Sequence, residues 1–383
     1  MTNQMEVDQL HNHKITHGQG NDTRWYTYVG DGKDRKKISA LSKSGLYEKL
    51  YDYYFPETTL LMVYQRWRDY RIATCNRINT VYRNDKDWKK YYLQEACSQA
   101  LIKKPVERIT QADVKLWAHQ LIKKYGMTRK QYTNVQTILK KIIQYLIDAE
   151  ELNKDPTALL HLEPSVFRRN PKKESESQIF YQDEVEQIVR RSKELAIMTQ
   201  DETYLAIPMF FLTGVRIGEI LALGYEDFDQ KKSVIKVHRS LCTDFQPTGD
   251  GWGKRQYVVE EHLKKNADSR NVLVPPEVFE LVKKVKKIQL RKGGLLPLLF
   301  PAKTPHVVTG KLYRICDELG ILRRSPHKCR KTYVSVLLNK GVDADFVREQ
   351  AGHKDLQTTL NSYAYSTTRN EEKLAQLQEA LIV

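Results

Sequence analysis

The heptapeptide Thr213-Gly214-Val215-Arg216-Ile217-Gly218-Glu219 follows an apolar run, residues 203–212, that is typical of a buried helix. The glycine after this run favours a turn, so Arg216 enters a mostly apolar environment. Burying a guanidinium costs free energy unless it meets an anion. We therefore expect Arg216 to have an anionic partner. Glu219 is the simplest one, so the motif alone indicates either a structural ion pair or part of a site.

Three later segments also place Lys, Arg or His where a functional reason is needed. KKNADSR (264–270) lies between two predicted strands, where a turn lysine is ordinarily just solvated. SPHKCR (325–330) enters a predicted helix, and His327 and Arg330 are neighbours on its first turn because they are three residues apart. The last segment is AGHKDLQTTLNSY (351–363). Each segment alone is weak evidence, but the four in this order form a recognisable pattern.

Taken together, the four segments resemble the tyrosine recombinases, and the resemblance covers residues 58–370. The family carries an arginine in a TGxRxGE box, a lysine in a β-hairpin, His-x-x-Arg, Gly-His and then a nucleophilic tyrosine. The resemblance implies these catalytic positions, with Glu219 in support: Arg216, Lys265, His327, Arg330, His353 and Tyr363.

The implied chemistry needs neither a metal nor a nucleotide cofactor. Two arginines can hold the oxygens of one phosphate and stabilise the charge of its transition state. Tyr363 would form a covalent phosphotyrosine that conserves the bond energy. The resemblance further implies that Lys265 protonates the leaving 5′ oxygen, that His327 assists proton transfer and that His353 binds the phosphate. The neighbouring Lys264 leaves the choice of lysine open.

The chain departs from the family pattern at three positions. Lys331 and Tyr365 stand where histidine is common, and Ala351 stands where leucine is common. None of the three falls on a proposed catalytic position. Tyr365 is, however, a second phenol close to Tyr363, so the two tyrosines are rival nucleophiles.

Composition agrees with a nucleic-acid partner. The net charge is +16 over 383 residues, and cations placed on phosphates gain free energy by releasing counterions. A membrane surface is the rival partner, but we find no basic amphipathic anchor, and no apolar run reaches the length of a membrane span. The five cysteines are scattered without a Cys-x-x-Cys pair. We therefore expect reduced thiols, a cytoplasmic protein and no zinc site.

Residues 1–56 are predicted to form a small β-rich unit. Trp25 to Val29 has strand composition, Lys36 to Ala40 can return as a second strand, and a helix follows. Four basic residues line this hairpin: Lys33, Arg35, Lys36 and Lys37. The unit resembles the arm-binding domains of integrases from phages and conjugative transposons, which implies DNA contact.

Residues 57–162 are predicted to be a helical, core-binding bundle of four or five helices, and residues 163–177 a basic linker. Capping boxes begin helices at Thr110 and Thr128, where the residue three positions on can close the box. Basic residues at helix ends and in the linker can hold backbone phosphates. The predicted DNA-binding residues of these two segments are Lys123, Lys124, Arg129, Lys130, Arg168, Arg169, Lys172 and Lys173.

Residues 178–383 are predicted to be an α/β catalytic domain, which makes the whole chain multidomain and mainly α. Its strands, 233–241, 257–262 and 271–274, are expected to form a three-stranded antiparallel meander. A short tail helix follows, with Leu374, Leu377, Ala380 and Leu381 on one face. Such a stripe needs a surface to cover, either on its own domain or, the version we favour, on a neighbouring protomer.

The sequence thus predicts a site-specific recombinase that integrates or excises a mobile element. The resemblance implies these partners: double-stranded DNA at core and arm sites, three further copies of the chain in a synaptic tetramer, and an accessory excision factor. A type IB topoisomerase shares the active-site chemistry, and a DNA-binding protein without catalysis is the other alternative.

Overall fold

The computed structural model describes residues 2–19, 22–54, 57–158, 160–169, 174–249, 251–261, 269–302, 304–353, 355–357, 360 and 365–381. Its internal contacts divide the chain into two compact units, residues 1–170 and residues 171–383. Each unit has buried apolar clusters of its own. The domain divisions after residues 56, 162 and 177 stay predictions.

The first 54 residues form a three-stranded antiparallel sheet with two helices packed on one face. The predicted hairpin and helix are confirmed, whereas the first helix and the two-residue edge strand were not predicted. In the second strand Thr27 and Val29 are buried, so Tyr26 and Tyr28 lie on the other face of the sheet. The elements are α1 (Thr2–Leu10), β1 (Thr16–His17), β2 (Trp25–Val29), β3 (Lys36–Ala40) and α2 (Lys43–Tyr54).

Five helices within residues 57–158 form the predicted bundle. Both capping boxes are present, at Thr110 and Thr128, and the apolar stripe of the last helix is buried. That helix ends at Asp148, because Glu150 adopts a left-handed conformation with φ 58°. The helices are α3 (Leu60–Thr74), α4 (Ile78–Trp88), α5 (Ala96–Ile102), α6 (Gln111–Tyr125) and α7 (Arg129–Asp148).

A column of aromatic rings runs through the core of the bundle. Tyr64 and Trp88 stack with their centroids 4.1 Å apart and their planes 5° from parallel. Tyr92 continues the stack at 4.6 Å from Trp88, and Trp117 follows at 5.3 Å from Tyr92. The buried indole N–H of Trp117 donates to Ser98 Oγ over 2.8 Å, so its polar group is satisfied. These large rings belong to the buried apolar core of the bundle.

The second unit is built around one short helix, α9, which is apolar on all sides. Ala206, Ile207, Met209 and Phe210 are fully buried, as expected of a helix that other helices surround. α8, α10, α11, α12 and α13 all contact it. None of the helices that the structure describes has the length and apolar character needed to cross a membrane. The helices of this unit are α8 (Gln182–Met198), α9 (Ala206–Thr213), α10 (Ile217–Ile220), α11 (Pro276–Arg291), α12 (Pro305–Glu318), α13 (Pro326–Asn339), α14 (Ala344–Ala351) and α15 (Asn370–Leu381).

The unit contains a three-stranded antiparallel sheet, but the predicted strand pairing is wrong. The predicted strand 233–241 is two strands, β5 and β6; β5 lies between β10 and β4, while β6 pairs with β9 in a separate ribbon. The break falls at His238 and Arg239, whose side chains bond Asp227 over 2.8 and 2.7 Å instead of continuing the strand pattern. The strands are β4 (Phe228–Asp229), β5 (Val234–Val237), β6 (Ser240–Asp244), β7 (Pro247–Thr248), β8 (Gly251–Trp252), β9 (Gln256–Glu260) and β10 (Arg270–Leu273).

Candidate active site

Arg216 is positioned by the turn between α9 and α10. The turn needs Gly214, which has φ 61° and whose Cβ, if present, would lie 2.2 Å from Cδ1 of Tyr333. Arg216 then caps α10 with 43% of its side chain exposed. Its guanidinium donates to Glu219 Oε1 over 2.9 Å and to the Gly352 carbonyl over 3.0 Å. The predicted anionic partner is thus present, and an open side of the arginine faces solvent.

Glu219 is the buried anchor of the site, with 4% of its side chain exposed. It accepts hydrogen bonds from Arg216 and, at 2.7 Å, from Nη2 of Arg270. Burial by itself raises the pKa of this carboxyl, but the hydrogen bond and charge of Arg270 and the charge of Arg216 outweigh it and lower the pKa to about 2. Glu219 is therefore ionised at any physiological pH.

Arg330 lies on the first turn of α13 and is almost completely buried, at 1% exposure. Its Nη1 donates to the Gly214 carbonyl over 2.6 Å, and its Nη2 donates to the Ala351 carbonyl. Backbone carbonyls thus fix the plane of this guanidinium. An arginine held in this way can present a rigid fork to an anion.

His327 precedes Arg330 by one helical turn. Burial within the site, followed by the positive charges of Arg330 and Lys331, lowers the pKa of the His327 imidazole to about 4. The residue is solvent-exposed, and the surrounding cations keep its imidazole neutral at physiological pH. A neutral imidazole next to several cations can accept or relay a proton.

His353 follows α14, which ends at Gly352 in a left-handed conformation with φ 63°. The residue is 7% exposed. Its burial, and then the charges of Arg330, Arg216, His327 and Arg270, lower its pKa to about 3. Arg330 and Arg216 act on both histidines, so four of the six predicted catalytic residues come together around the end of α14.

Arg270 is the residue of this cluster that the sequence did not assign to the site. It is the first residue of β10 and 14% of its side chain is exposed. The sequence does contain a signal for Arg270, because a buried glutamate between strongly basic segments needs more than one cation. The spacing along the chain, however, gives no reason to connect residue 270 with residue 219. Arg216 and Arg270 share the charge of Glu219, and Arg330 adds a third cation to the cluster, so the cluster carries an excess of positive charge, which suits a phosphate.

The predicted lysines and nucleophile lie outside the described residues: Lys264, Lys265 and Tyr363. Two of the three positions where the chain departs from the family pattern, Lys331 and Tyr365, contact each other. Lys331 Nζ lies 3.3 Å from Tyr365 Oη and 4.8 Å from the centre of its ring. The Tyr365 amide donates to Ser335 Oγ. These contacts hold Tyr365 against α13.

The basic hairpin of the first 54 residues has an aromatic face. Arg35 lies over the ring of Tyr28 at 4.2 Å, and Lys37 lies over that of Tyr26 at 4.1 Å. All four predicted basic residues of the hairpin, including Lys33 and Lys36, are exposed. Such a face can contact nucleic acid through both charge and ring stacking.

Three basic residues of the bundle and of the linker lie close together at the start of α7. The Arg168 amide donates to the Met127 carbonyl over 2.9 Å, which brings Arg168 beside the exposed Arg129 and Lys130. Lys124, by contrast, pairs with Glu95 over 2.7 Å and is less suited to hold a phosphate. Lys123 and Arg169 are exposed, while Lys172 and Lys173 lie outside the described residues.

Comparison with known proteins places this geometry in a family. A model of the phage integrase family matches residues 178–370. The ICEBs1 integrase of Bacillus subtilis is 24% identical over 309 residues, covering 77% of each chain. The tyrosine recombinase XerC of Lactobacillus leichmannii is 26% identical over 222 residues, covering 58% of this chain and 67% of that protein.

Solved structures share the fold. The Tn1549 transposon integrase in complex with transposon right end DNA superposes with a TM-score of 0.61 at 21% identity, covering 84% of this chain and 99% of that one. A lambda integrase dimer bound to a core site superposes with a TM-score of 0.54 at 14% identity, covering 80% of this chain and 95% of that one. The predicted fold class and recombinase activity are confirmed. The chain belongs to the phage integrase family of site-specific tyrosine recombinases.

Proposed function

We propose that this recombinase integrates and excises a mobile element by cutting and rejoining DNA through Tyr363. The observation that carries the proposal is the convergence of Arg216, His327, Arg330 and His353 around the end of α14. The chain brings Tyr363 in ten residues after His353. A phosphate is the anion that such a cluster of cations binds best. A bound phosphate is the group that a nearby phenol would attack.

In the proposed reaction His327 takes the proton of the Tyr363 phenol as the phenolic oxygen attacks the scissile phosphorus, and the 5′ oxygen of the next nucleotide leaves. Lys265 gives that oxygen its proton, and the phosphate stays on the enzyme as a 3′-phosphotyrosyl ester. Arg216 and Arg330 stabilise the charge that develops on the non-bridging oxygens. A 5′-hydroxyl from a second duplex then reverses the step, so one phosphodiester is exchanged for another without an external energy source.

The two parts of the first unit would bind different DNA. Residues 1–56 offer the aromatic and basic face of Arg35 and Lys37, and we assign them to arm-type sites. Residues 57–162 and the linker 163–177 offer Arg129, Lys130 and Arg168 at the start of α7, and we assign them to the core site. The helix dipole of α7 adds to the attraction for a backbone phosphate there.

Strand exchange would require a synaptic tetramer, and the tail helix is the element suited to link its copies. Arg369, at the start of the tail, pairs with Asp183 over 2.9 Å. The apolar stripe beyond it is exposed, with Leu374 and Leu377 at 55% and 54%. An apolar groove of about 440 Å³ lies between α8, α9 and α13 of the same unit. We propose that the tail of one copy fills the groove of its neighbour, with a separate excision factor setting direction.

A covalent-adduct assay tests the function. The purified chain is incubated with a radiolabelled, nicked duplex taken from the DNA that flanks its own gene, and the products are separated under denaturing conditions. We expect a labelled protein band that protease removes, and joint molecules when a second duplex is added. Adduct with relaxation but without joint molecules would indicate a topoisomerase. Specific binding without any adduct would indicate a DNA-binding protein and overturn the proposal.

A further inference from the structure

Three arginines from three different elements meet the last carbonyl groups of α14. Arg270 donates from Nε to the Gln350 carbonyl over 3.4 Å, Arg330 donates to that of Ala351, and Arg216 donates to that of Gly352 over 3.0 Å. The last carbonyls of a helix lack partners within the helix and carry its negative dipole end. Consecutive carbonyls therefore fix the spacing of three guanidinium groups.

Arg270 differs from the other two arginines in its further contacts. It holds both oxygens of Glu219, with Nη2 2.7 Å from Oε2 and Nη1 3.3 Å from Oε1. Gly352 has φ 63°, which favours glycine, and a Cβ there would lie 2.9 Å from the Arg270 Cζ, so a side chain at this position would displace the guanidinium. The Arg270 side chain thus connects β10, on which it lies, with Glu219, which binds Arg216, and with the end of α14.

We propose that Arg270 is a positioning residue, which fixes Glu219 and the end of α14 relative to each other so that Arg216 and Arg330 are preset to receive one phosphate. The inference rests on the proposed function. Arg270 starts β10 directly after the segment that carries Lys264 and Lys265, and α14 leads to Tyr363. Arg270 thus connects the segment with the lysine that would donate the proton to the helix that leads to the tyrosine that would accept the phosphate.

The alternative is that Arg270 serves only stability by neutralising a buried carboxylate. Arg239 is a matched control for that role, because it clamps buried Asp227 in the same unit over 2.7 Å. The two arginines are 14% and 19% exposed, and their carboxylates 4% and 2%. A lysine at either position keeps the charge but lacks the planar fork that bonds two acceptors at once.

The test compares Arg270→Lys with Arg239→Lys in the full chain. Single-turnover cleavage of the nicked duplex is measured at saturating protein, together with DNA affinity and thermal unfolding. We expect Arg270→Lys to slow cleavage about 100-fold, since a small misplacement of catalytic groups has this effect, while DNA affinity stays within about threefold. Arg239→Lys should lose comparable stability and keep its cleavage rate. Equal rates in both variants would overturn the proposal.

A double variant that removes both buried charges controls for misfolding. Glu219→Gln with Arg270→Gln removes both charges, so no buried ion is left without a partner. We expect this double variant to regain thermal stability but not cleavage, and recovery of cleavage would again reduce Arg270 to a structural role. If the unsubstituted protein forms no adduct, the proposed function fails instead, and the two failures are distinguishable.

Discussion

Arg330 on α13 donates a hydrogen bond to the carbonyl oxygen of Gly214 over 2.6 Å, although 116 residues separate them in the sequence. The contact joins the turn that carries Arg216 to the helix that carries His327. Because Arg330 is buried, its loss would also leave the carbonyl groups of Gly214 and Ala351 without this donor. The proposed phosphate clamp is thus assembled before any phosphate arrives.

Arg216→Ala and Arg330→Ala should each lower single-turnover cleavage by about 10²- to 10³-fold, the usual effect of removing one donor to a transition-state charge. Affinity for the DNA site should change little, because many other cations contribute to it. Arg314→Ala, at a 64% exposed arginine of the same unit, controls for the loss of one positive charge. A defect confined to binding at low salt would refute the clamp.

Tyr363→Phe should bind DNA normally and form no covalent adduct, because the phenolic oxygen is the attacking atom. Tyr365→Phe is the matched control, since it removes a phenol that contacts Lys331 on α13. We expect Tyr365→Phe to keep most adduct formation. Adduct from Tyr363→Phe together with none from Tyr365→Phe would reverse the assignment.

Stability should fall as the pH drops from neutral towards 4. The folded-state pKa values of His327 and His353, about 4 and about 3, lie below the ordinary value of 6.5. The unfolded chain therefore takes up protons in this window before the folded chain does, so acid favours unfolding. Urea midpoints at pH 7 and pH 5 measure the effect. His353→Gln should show a smaller fall, and His306→Gln, at an exposed site on α12, should match the unsubstituted protein.

Deletion of residues 1–56 should spare cleavage of a short core-site duplex and remove binding to arm-type sequences. The reason is that the basic and aromatic face of Arg35 and Lys37 belongs to this segment. Footprinting over the flanking DNA measures both sites in one experiment. The double variant Arg35→Ala with Lys37→Ala should reproduce the loss of arm binding without deletion. An unchanged footprint would assign the segment another role.

Truncation after Asn370 should keep binding to a single site and abolish synapsis and recombination, because the exposed leucines of α15 would no longer reach a neighbour. Band shifts with one and two sites separate the two steps. If the tail instead covers its own domain, the truncated monomer should unfold at a lower temperature. Normal recombination by the truncated chain would contradict both versions.

Much of the fold could be read from the sequence, because local rules decide it. The two capping boxes and the apolar stripe of α7 are set by neighbours within a few residues. The strand order of the catalytic unit was missed because His238 and Arg239 turn towards Asp227, a contact with no periodicity. Arg270 was missed for the same reason, since its partners lie 51 and 80 residues away.

The stacked rings of the bundle give the two units separate optical signatures. Of the five tryptophans, Trp252 alone belongs to residues 171–383, and the others, Trp25, Trp67, Trp88 and Trp117, belong to residues 1–170. Tryptophan fluorescence therefore reports mainly on residues 1–170. The near-parallel stack of Tyr64 on Trp88 should add coupled bands to the near-ultraviolet dichroism. A chain that keeps Trp252 as its single tryptophan would make the catalytic unit visible by itself, so that DNA binding and phosphate chemistry could be timed independently.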